Sequence, residues 1–366
     1  MPGPSAVVAD DSHFMRSVIS DLLTEGGIDV VAQARNGREA VEAVATHRPD
    51  VVTMDIEMPE LNGIEATAEI MAATPTPVLI LSAHADDDTD VTFRALEEGA
   101  VDFFTKPGGE VSMEMSRLKD QLVEMVRSVA AVDVSGRSER TTTSGRSTRT
   151  SSTPSSGPSA GSPAAGATYV DDPTLVIGSS TGGPNVVEEV MSGLAREAGF
   201  RVLVVQHMPE GFTGRFADRI DARSEYDVRE ASDGDRIGGG EALVAPGGRH
   251  MEVANDAGGR LRVRLTDDPP VNNVRPAVDV TMRTAAQVVT GPMTGVILTG
   301  MGRDGAEGIA TMKAAGASTI AQSEATCAVY GMPKMAVETG QVDRVCDAGD
   351  VAGAVLETVR TEVSHQ

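Results

Sequence analysis

Tryptophan is absent, and aromatic residues make up only 3% of the chain. Any core must therefore be mainly aliphatic. Cysteine is nearly absent as well. Cys327 and Cys346 are the only two, and they lack metal-ligand spacing. That excludes a disulfide framework and fits a reducing compartment. Lysine is scarce: Lys106, Lys119, Lys313 and Lys334 are the only four among 31 basic residues. Positive charge as a whole is outnumbered, with a net charge of −23, which argues against non-specific nucleic-acid binding. An acidic surface that prefers Arg to Lys suits a high-salt cytoplasm, where screening weakens self-repulsion. Biased base composition in the genome would give the same pattern. No apolar run approaches the roughly 20 residues needed to span a bilayer. No basic segment followed by an apolar stretch opens the sequence, so no signal peptide is expected. These absences predict a cytoplasmic protein with no direct membrane insertion.

At 366 residues the chain is long enough for two domains. Residues 5–129 alternate strand and helix patterns. Strands are expected at 6–9, 29–34, 51–54, 78–81 and 101–104, with helical periodicity at 13–24, 37–46, 89–98 and 112–129. Five strands with helical crossovers imply a doubly wound, five-stranded parallel sheet of flavodoxin-like type. Between about Ser135 and Thr168 the composition turns to Ser, Thr, Gly and Pro, with four Arg against one Glu. Such a segment cannot bury enough apolar surface to offset its ordering entropy, so 130–170 is expected to be a flexible linker. A second α/β domain is expected over 171–362. Its strands read at 175–178, 202–207, 242–246, 251–254, 261–265, 295–300 and 318–322. Its helices read at 184–198, 276–290, 305–315, 333–338 and near 350–362. The crowding of strands around 242–265 predicts a mostly parallel, partly mixed sheet.

In the first domain, chemistry-bearing residues stand at strand ends. Asp10 and Asp11 follow the first strand, Asp55 ends the third, Ser82 follows the fourth, and Lys106 follows the fifth. Doubly wound sheets gather functional groups at that edge. Any one of these residues alone could be a helix cap or a loop residue. Together, three carboxylates repel unless a hard divalent cation joins them, and oxygen ligands of this kind suit Mg²⁺. This half resembles the receiver domain of two-component response regulators through VVADDS, DIEMPELNG, LSAH and FTKP. The resemblance implies that Asp55 accepts a phosphoryl group from a histidine kinase. It also implies that Asp10, Asp11, Asp55 and the backbone carbonyl of Glu57 hold Mg²⁺, and that Ser82 and Lys106 contact the phosphoryl oxygens.

In the second domain, VIGSSTGGP (176–184) lies between a strand and a helix. It has no Lys, so it is not a P-loop, and it lacks G-x-G-x-x-G spacing. Gly178 to Gly182 do fit G-x-S-x-G in the strand–turn–helix context of a nucleophile elbow, with Ser180 central. A Ser-rich turn alone is often only a turn, so a base and an orienting acid are needed. His13, His47, His84 and His365 lie in the first domain or at the C-terminus. Of the other two, His207 directly follows an apolar strand, whereas His250 sits in GGRHM, read as a hairpin turn, where a histidine is usually a surface or capping residue. His207 is therefore favoured as base. Asp304 follows GVILTGMGR past another strand end; its bland role would be a helix N-cap. The order Ser, His, Asp differs from the Ser, Asp/Glu, His order of α/β-hydrolases.

This half resembles the catalytic domain of the chemotaxis protein-glutamate methylesterases. The likeness rests on IGSSTGGP, QHMPEGFTGRFADR, APGGRHMEV, NNVRPAVDV, ILTGMGRDGAEG and AVYGMPKMA. It implies a Ser180–His207–Asp304 triad with oxyanion donors at the backbone N–H groups of Thr181 and Met301. It further implies hydrolysis of glutamate γ-methyl esters on chemotaxis receptors, with deamidation of receptor glutamines, and no cofactor for the esterase step. The expected partners are those receptors as substrate and a histidine kinase as phosphodonor, with no nucleic acid, and the chain is expected to be a monomer. A non-enzymatic regulator would not need the triad, and a DNA-binding regulator would need a basic recognition helix that the acidic second half lacks.

Overall fold

The computed structural model describes residues 3–82, 89–106, 114–132, 134 and 168–361. Most of the expected linker, together with His84 and His365, lies outside the described residues.

The N-terminal sheet contains β1 (Ser5–Ala9), β2 (Asp29–Ala34), β3 (Val51–Asp55), β4 (Val78–Ser82) and β5 (Asp102–Thr105), all parallel in the order β2-β1-β3-β4-β5. β3 and β4 are buried throughout, as expected for strands covered on both faces by helices. The helices are α1 (His13–Glu25), α2 (Gly37–His47), α3 (Gly63–Ala73), α4 (Thr89–Glu97) and α5 (Glu114–Ala130). α3 begins with a capping box, in which Asn62 accepts from the Glu65 amide and Glu65 accepts from the Asn62 amide. The strand order reverses between β1 and β3, and this switch point sets Asp10 beside Asp55.

The second domain is built on seven strands: β7 (Thr174–Ser179), β8 (Arg201–Gln206), β9 (Asp227–Glu230), β11 (Glu241–Val244), β14 (Met293–Ile297), β15 (Ser318–Gln322) and β16 (Arg344–Cys346). Their order is β16-β15-β14-β7-β8-β11-β9, and every pairing is parallel. The antiparallel pairing expected around 242–265 forms a separate sheet, β10-β13-β12, from β10 (Arg236–Ile237), β12 (His250–Ala257) and β13 (Arg260–Thr266). A short pair, β6 (Thr168–Tyr169) with β17 (Arg360–Thr361), ties the ends of the domain together. The helices are α6 (Gly183–Ser192), α7 (Phe212–Arg223), α8 (Val278–Val288), α9 (Ala306–Ala314), α10 (Met332–Glu338) and α11 (Ala348–Val359). The helix expected at 184–198 ends early, with Gly193 as its C-cap, and a 3₁₀ turn covers Arg196–Ala198.

Several elements were not among those expected, including α3, β9, β10, β16 and α7. α7 is rich in charge, and its apolar stripe is only Phe212, Phe216, Ala217 and Ile220. These four are buried, and each large side chain contributes about 1.5–3 kcal/mol. The two phenylalanines do not face their own domain alone. Phe216 stacks on Phe93 of α4, with centroids 6.2 Å apart, and Phe212 stacks on Phe103 of β5 at 4.6 Å. The N-terminal half therefore docks on α7 of the second half.

Candidate active site

The seven-stranded sheet has its own switch point, where β14 and β8 flank β7 and the chain runs outward on both sides. Ser179 on β7 pairs with Gln206 on β8, so Ser180 and His207 are the next residues on adjacent strands. The turn at Ser180 is held at several points. Its N–H donates to the Thr299 carbonyl at 3.0 Å, and its carbonyl accepts from the Gly183 N–H and from Gln206 Nε2, each at 2.8 Å. Gly182 has φ +72°, which a side chain would strain, and a Cβ there would lie 2.3 Å from the Ala328 Cβ. A Cβ on Gly300 would come within 2.7 Å of the Ser180 Cβ, so the β14 chain can pass this close only as glycine.

His207 Nε2 lies 2.8 Å from Asp304 Oδ2. Nε2–H donates to this carboxylate, so Nδ1 is the nitrogen left to accept a proton. This is the reverse of the usual serine-protease arrangement, in which the acid holds Nδ1. Among the described residues no hydrogen bond joins Ser180 Oγ to His207. Such bonds are often long before substrate binds. Asp304 is 2% exposed and also accepts from the Val278 amide (2.6 Å), the Asp279 amide (3.2 Å) and Asn272 Nδ2 (2.9 Å). Burial alone would push its carboxyl up. The His207 hydrogen bond and charge, with Asn272 and the Val278 amide, outweigh burial and hold it below the ordinary range. Among the described residues the amides of Thr181 and Met301 make no protein hydrogen bond, which leaves both free to donate to a developing charge.

His250 corrects the hairpin-turn reading. It opens β12 and is 1% exposed. Its Nδ1 accepts from the Ala277 amide at 3.1 Å, and its Nε2–H donates to the Pro269 carbonyl at 3.2 Å. Both nitrogens are occupied, so it braces a loop and has no nitrogen free to serve Ser180.

In the N-terminal half, oxygens of Asp10, Asp11 and Asp55 lie within 4.8 Å of one another. Lys106 Nζ bridges Asp10 (2.8 Å) and Asp55 (2.7 Å). Burial raises the Asp55 carboxyl, Lys106 opposes that rise, and Asp10 adds to it. The donor set is all hard oxygen, which fits Mg²⁺. Glu57 lines a cleft of about 610 Å³ beside Asp11, Met58, Val91 and Arg94. Ser82, buried at the end of β4, accepts from the Thr92 hydroxyl at 3.1 Å, and its carbonyl accepts from the Lys106 N–H at 2.7 Å. All the strand-end residues singled out in the sequence therefore converge on two edges, one per domain.

A family model described as CheB methylesterase matches residues 175–355, and one for the response regulator receiver domain matches residues 6–116. The protein-glutamate methylesterase/protein-glutamine glutaminase of Haloarcula marismortui is 66% identical over 366 residues, 99% of each chain. That of Natronomonas pharaonis is 61% identical over 363 residues, 98% of this chain and 99% of its own. The solved CheB methylesterase catalytic domain of Thermotoga maritima is 40% identical, covering 51% of this chain and 98% of that one, with a TM-score of 0.49. The chain belongs to the CheB protein-glutamate methylesterase family.

The methylesterase domain and the receiver meet beside the Ser180 turn. Arg219 of α7 lies over the Phe93 ring, 4.9 Å from its centroid, and donates to Glu97 of the receiver (3.0 Å) and to buried Glu188 (2.8 Å). Arg223 bonds the same two carboxylates at 2.5 and 2.6 Å. Ser128 of α5 donates to Met301 Sδ at 3.1 Å. Asp102, at the start of β5, lies against the Thr181 hydroxyl and the Gly182 amide, at the head of the methylesterase nucleophile helix α6. Sequence reasoning assigned no role to Asp102, Gln206, Asn272 or Asp279. The signal for Gln206, Asn272 and Asp279 was membership in the quoted motifs, and Asp102 lay only within an expected strand, because each acts through a partner distant in sequence.

Proposed function

We propose that this protein hydrolyses glutamate γ-methyl esters on chemotaxis receptors, releases methanol, and deamidates receptor glutamines at the same site. The observation that carries this reading is the His207–Asp304 pair set on the strand next to the Ser180 elbow, with two amides free nearby. Ser180 Oγ attacks the ester carbonyl and passes its proton to His207 Nδ1. The oxyanion rests on the Thr181 and Met301 amides. His207 returns the proton to the departing methoxide, which leaves as methanol. Water then attacks the acyl-serine with His207 again as base, freeing a glutamate carboxylate. Asp304 holds the ring and stabilises its charged form.

Phosphoryl transfer from a histidine kinase to Asp55 would gate this activity. Mg²⁺ held by Asp10, Asp11, Asp55 and the Glu57 carbonyl would offset charge on the incoming phosphoryl group. Ser82 and Lys106 would close on that group and shift β4 and β5. β5 carries Asp102 and Phe103, both at the docking surface, so its movement is a direct route to the interface. The unphosphorylated receiver would cover the esterase site and phosphorylation would weaken that docking, with a coupling of about 1–3 kcal/mol typical of such systems.

The test is methanol release from methylated receptor membranes, with and without a small-molecule phosphodonor. Wild type should be activated, and Ser180→Ala should lose several orders of magnitude while remaining folded. Near-wild-type turnover in Ser180→Ala would refute the triad. An isolated methylesterase half no faster than the unphosphorylated full chain would refute occlusion.

A further inference from the structure

α8 and α9 meet head to head behind the triad, and each supplies a carboxylate to the other. Asp304, just before α9, accepts from the Val278 and Asp279 amides in the first turn of α8. Asp279, in that first turn, accepts from the Gly308 amide in the first turn of α9 at 2.6 Å. Helix N-termini favour negative charge, which explains why two acids are tolerated here. The two still repel. Asp279 is 3% exposed, and burial first, then the Asp304 charge, pushes its carboxyl up. One side chain bridges them. Asn272 Nδ2 donates to Asp279 Oδ2 at 2.7 Å and to Asp304 Oδ1 at 2.9 Å.

Asn272 is held where it must be to do this. Asn272 and Asn273 have φ +52° and +65°, and Val271 and Val274 exchange backbone hydrogen bonds across them. That is a two-residue turn with both central residues left-handed, a geometry that suits Asn or Gly. His250 and Arg275 anchor the segment, His250 through Pro269 and Ala277, Arg275 through the Asp267 and Asp268 carbonyls. The turn alone would accept glycine at 272. The amide is needed only for the two carboxylates.

Granting the triad proposed above, we propose that Asn272 and Asp279 are positioning residues: the Asn272 amide bridges the two acids and presents Asp304 Oδ2 to His207, while Asp279 adds a second negative charge behind the imidazole. The charged groups facing this pair are His207 beyond β8, Glu307 in α9, and Arg303, which pairs with Glu307 at 3.4 Å. No Lys or Arg among the described residues forms an ion pair with Asp279 or Asp304. The amide bridge is thus the side-chain means of holding the two acids together. Removing the Asp279 charge should make protonation of His207 harder, so the base stays active to lower pH.

The experiment measures the rate at which a fluorophosphonate labels Ser180 in the full-length protein across pH. Labelling does not depend on the identity of the ester substrate. Asn272→Gly keeps the turn and deletes the amide. It should slow labelling about 10- to 100-fold, the size expected for losing a hydrogen bond to a charged group. Asp279→Asn should move the acidic limb of the profile to lower pH. The double variant Asn272→Gly/Asp279→Asn should recover part of the rate, because the repulsion that the amide bridged is gone. A merely structural role for these residues would move the melting temperature but neither shift the limb nor give recovery. Wild-type labelling in Asn272→Gly, or an unmoved limb in Asp279→Asn together with no recovery, overturns the proposal. Asp304→Asn separates the two levels. If it labels at the wild-type rate, the triad itself is wrong and this inference falls with it. If Asp304→Asn is crippled but Asn272→Gly is not, the triad stands and only the positioning role fails.

Discussion

Asp102 should make receiver docking depend on pH. It is 8% exposed, it sits at the head of α6, and burial pushes its carboxyl up to about 7, against the Phe103 and Gly182 amides and the Thr181 hydroxyl. When the receiver lifts away, that carboxyl meets water and returns to its ordinary value of 3.8. The difference is about 3 pH units, or at most about 4 kcal/mol. Between these two values the docked form holds a proton that the open form has lost. Docking is therefore favoured at the acidic end, weakens as pH rises through the window, and levels off above about 7. From about pH 5.5 to 7 the ratio of open to docked forms should grow by up to about 15-fold. Asp102→Asn cannot ionise, so its docking should not change with pH. The assay is basal, unphosphorylated esterase turnover of wild type divided by that of Asp102→Asn, which cancels the pH dependence of the chemistry. The quotient should climb steeply up to about pH 7 and then flatten. A quotient constant across that range would refute the reasoning, because it would mean that Asp102 does not change its surroundings when the site opens.

Three further outcomes are expected. Arg219→Ala removes a cation from the Phe93 face and from both Glu97 and Glu188, so the resting enzyme should turn over several-fold faster, while unfolding by denaturant shows a stability loss of about 1–3 kcal/mol, since buried Glu188 keeps only Arg223 as its cation. Asp55→Asn should leave basal turnover intact and abolish the response to a phosphodonor; a full response would place the acceptor elsewhere. With a net charge of −23, the melting temperature should rise between low and molar KCl as screening relieves self-repulsion, and a fall would contradict the high-salt reading of the composition.

Much of this protein is legible in one dimension. Apolar runs of four to six residues mark the central strands, and the residue just past each run lands on the carboxyl edge of a parallel sheet. That local rule was enough to place Asp10, Asp55 and Lys106 on one edge and Ser180, His207 and Asp304 on the other. It works because strand, edge and functional residue are contiguous in sequence. The rule fails where the partner is far away. α7 was not among the expected helices, because Phe212 and Phe216 owe their burial to Phe103 and Phe93 of the other domain. His250 looked like a turn residue because its two partners lie 19 and 27 residues downstream. Of the strands around 242–265, β11 joins the parallel sheet whereas β12 and β13 pair with β10 in a sheet of their own, a division that no local pattern marks. Which nitrogen of His207 faces Asp304 was set by side-chain packing, and no sequence pattern encodes a ring orientation. The bridge from Asn272 to Asp304 spans 32 residues, and Asp102 reaches Thr181 from a separate domain. Hydrogen bonding and desolvation act over a few ångströms, so these contacts, and the pKa shifts they cause, exist only once the tertiary structure has brought the groups together.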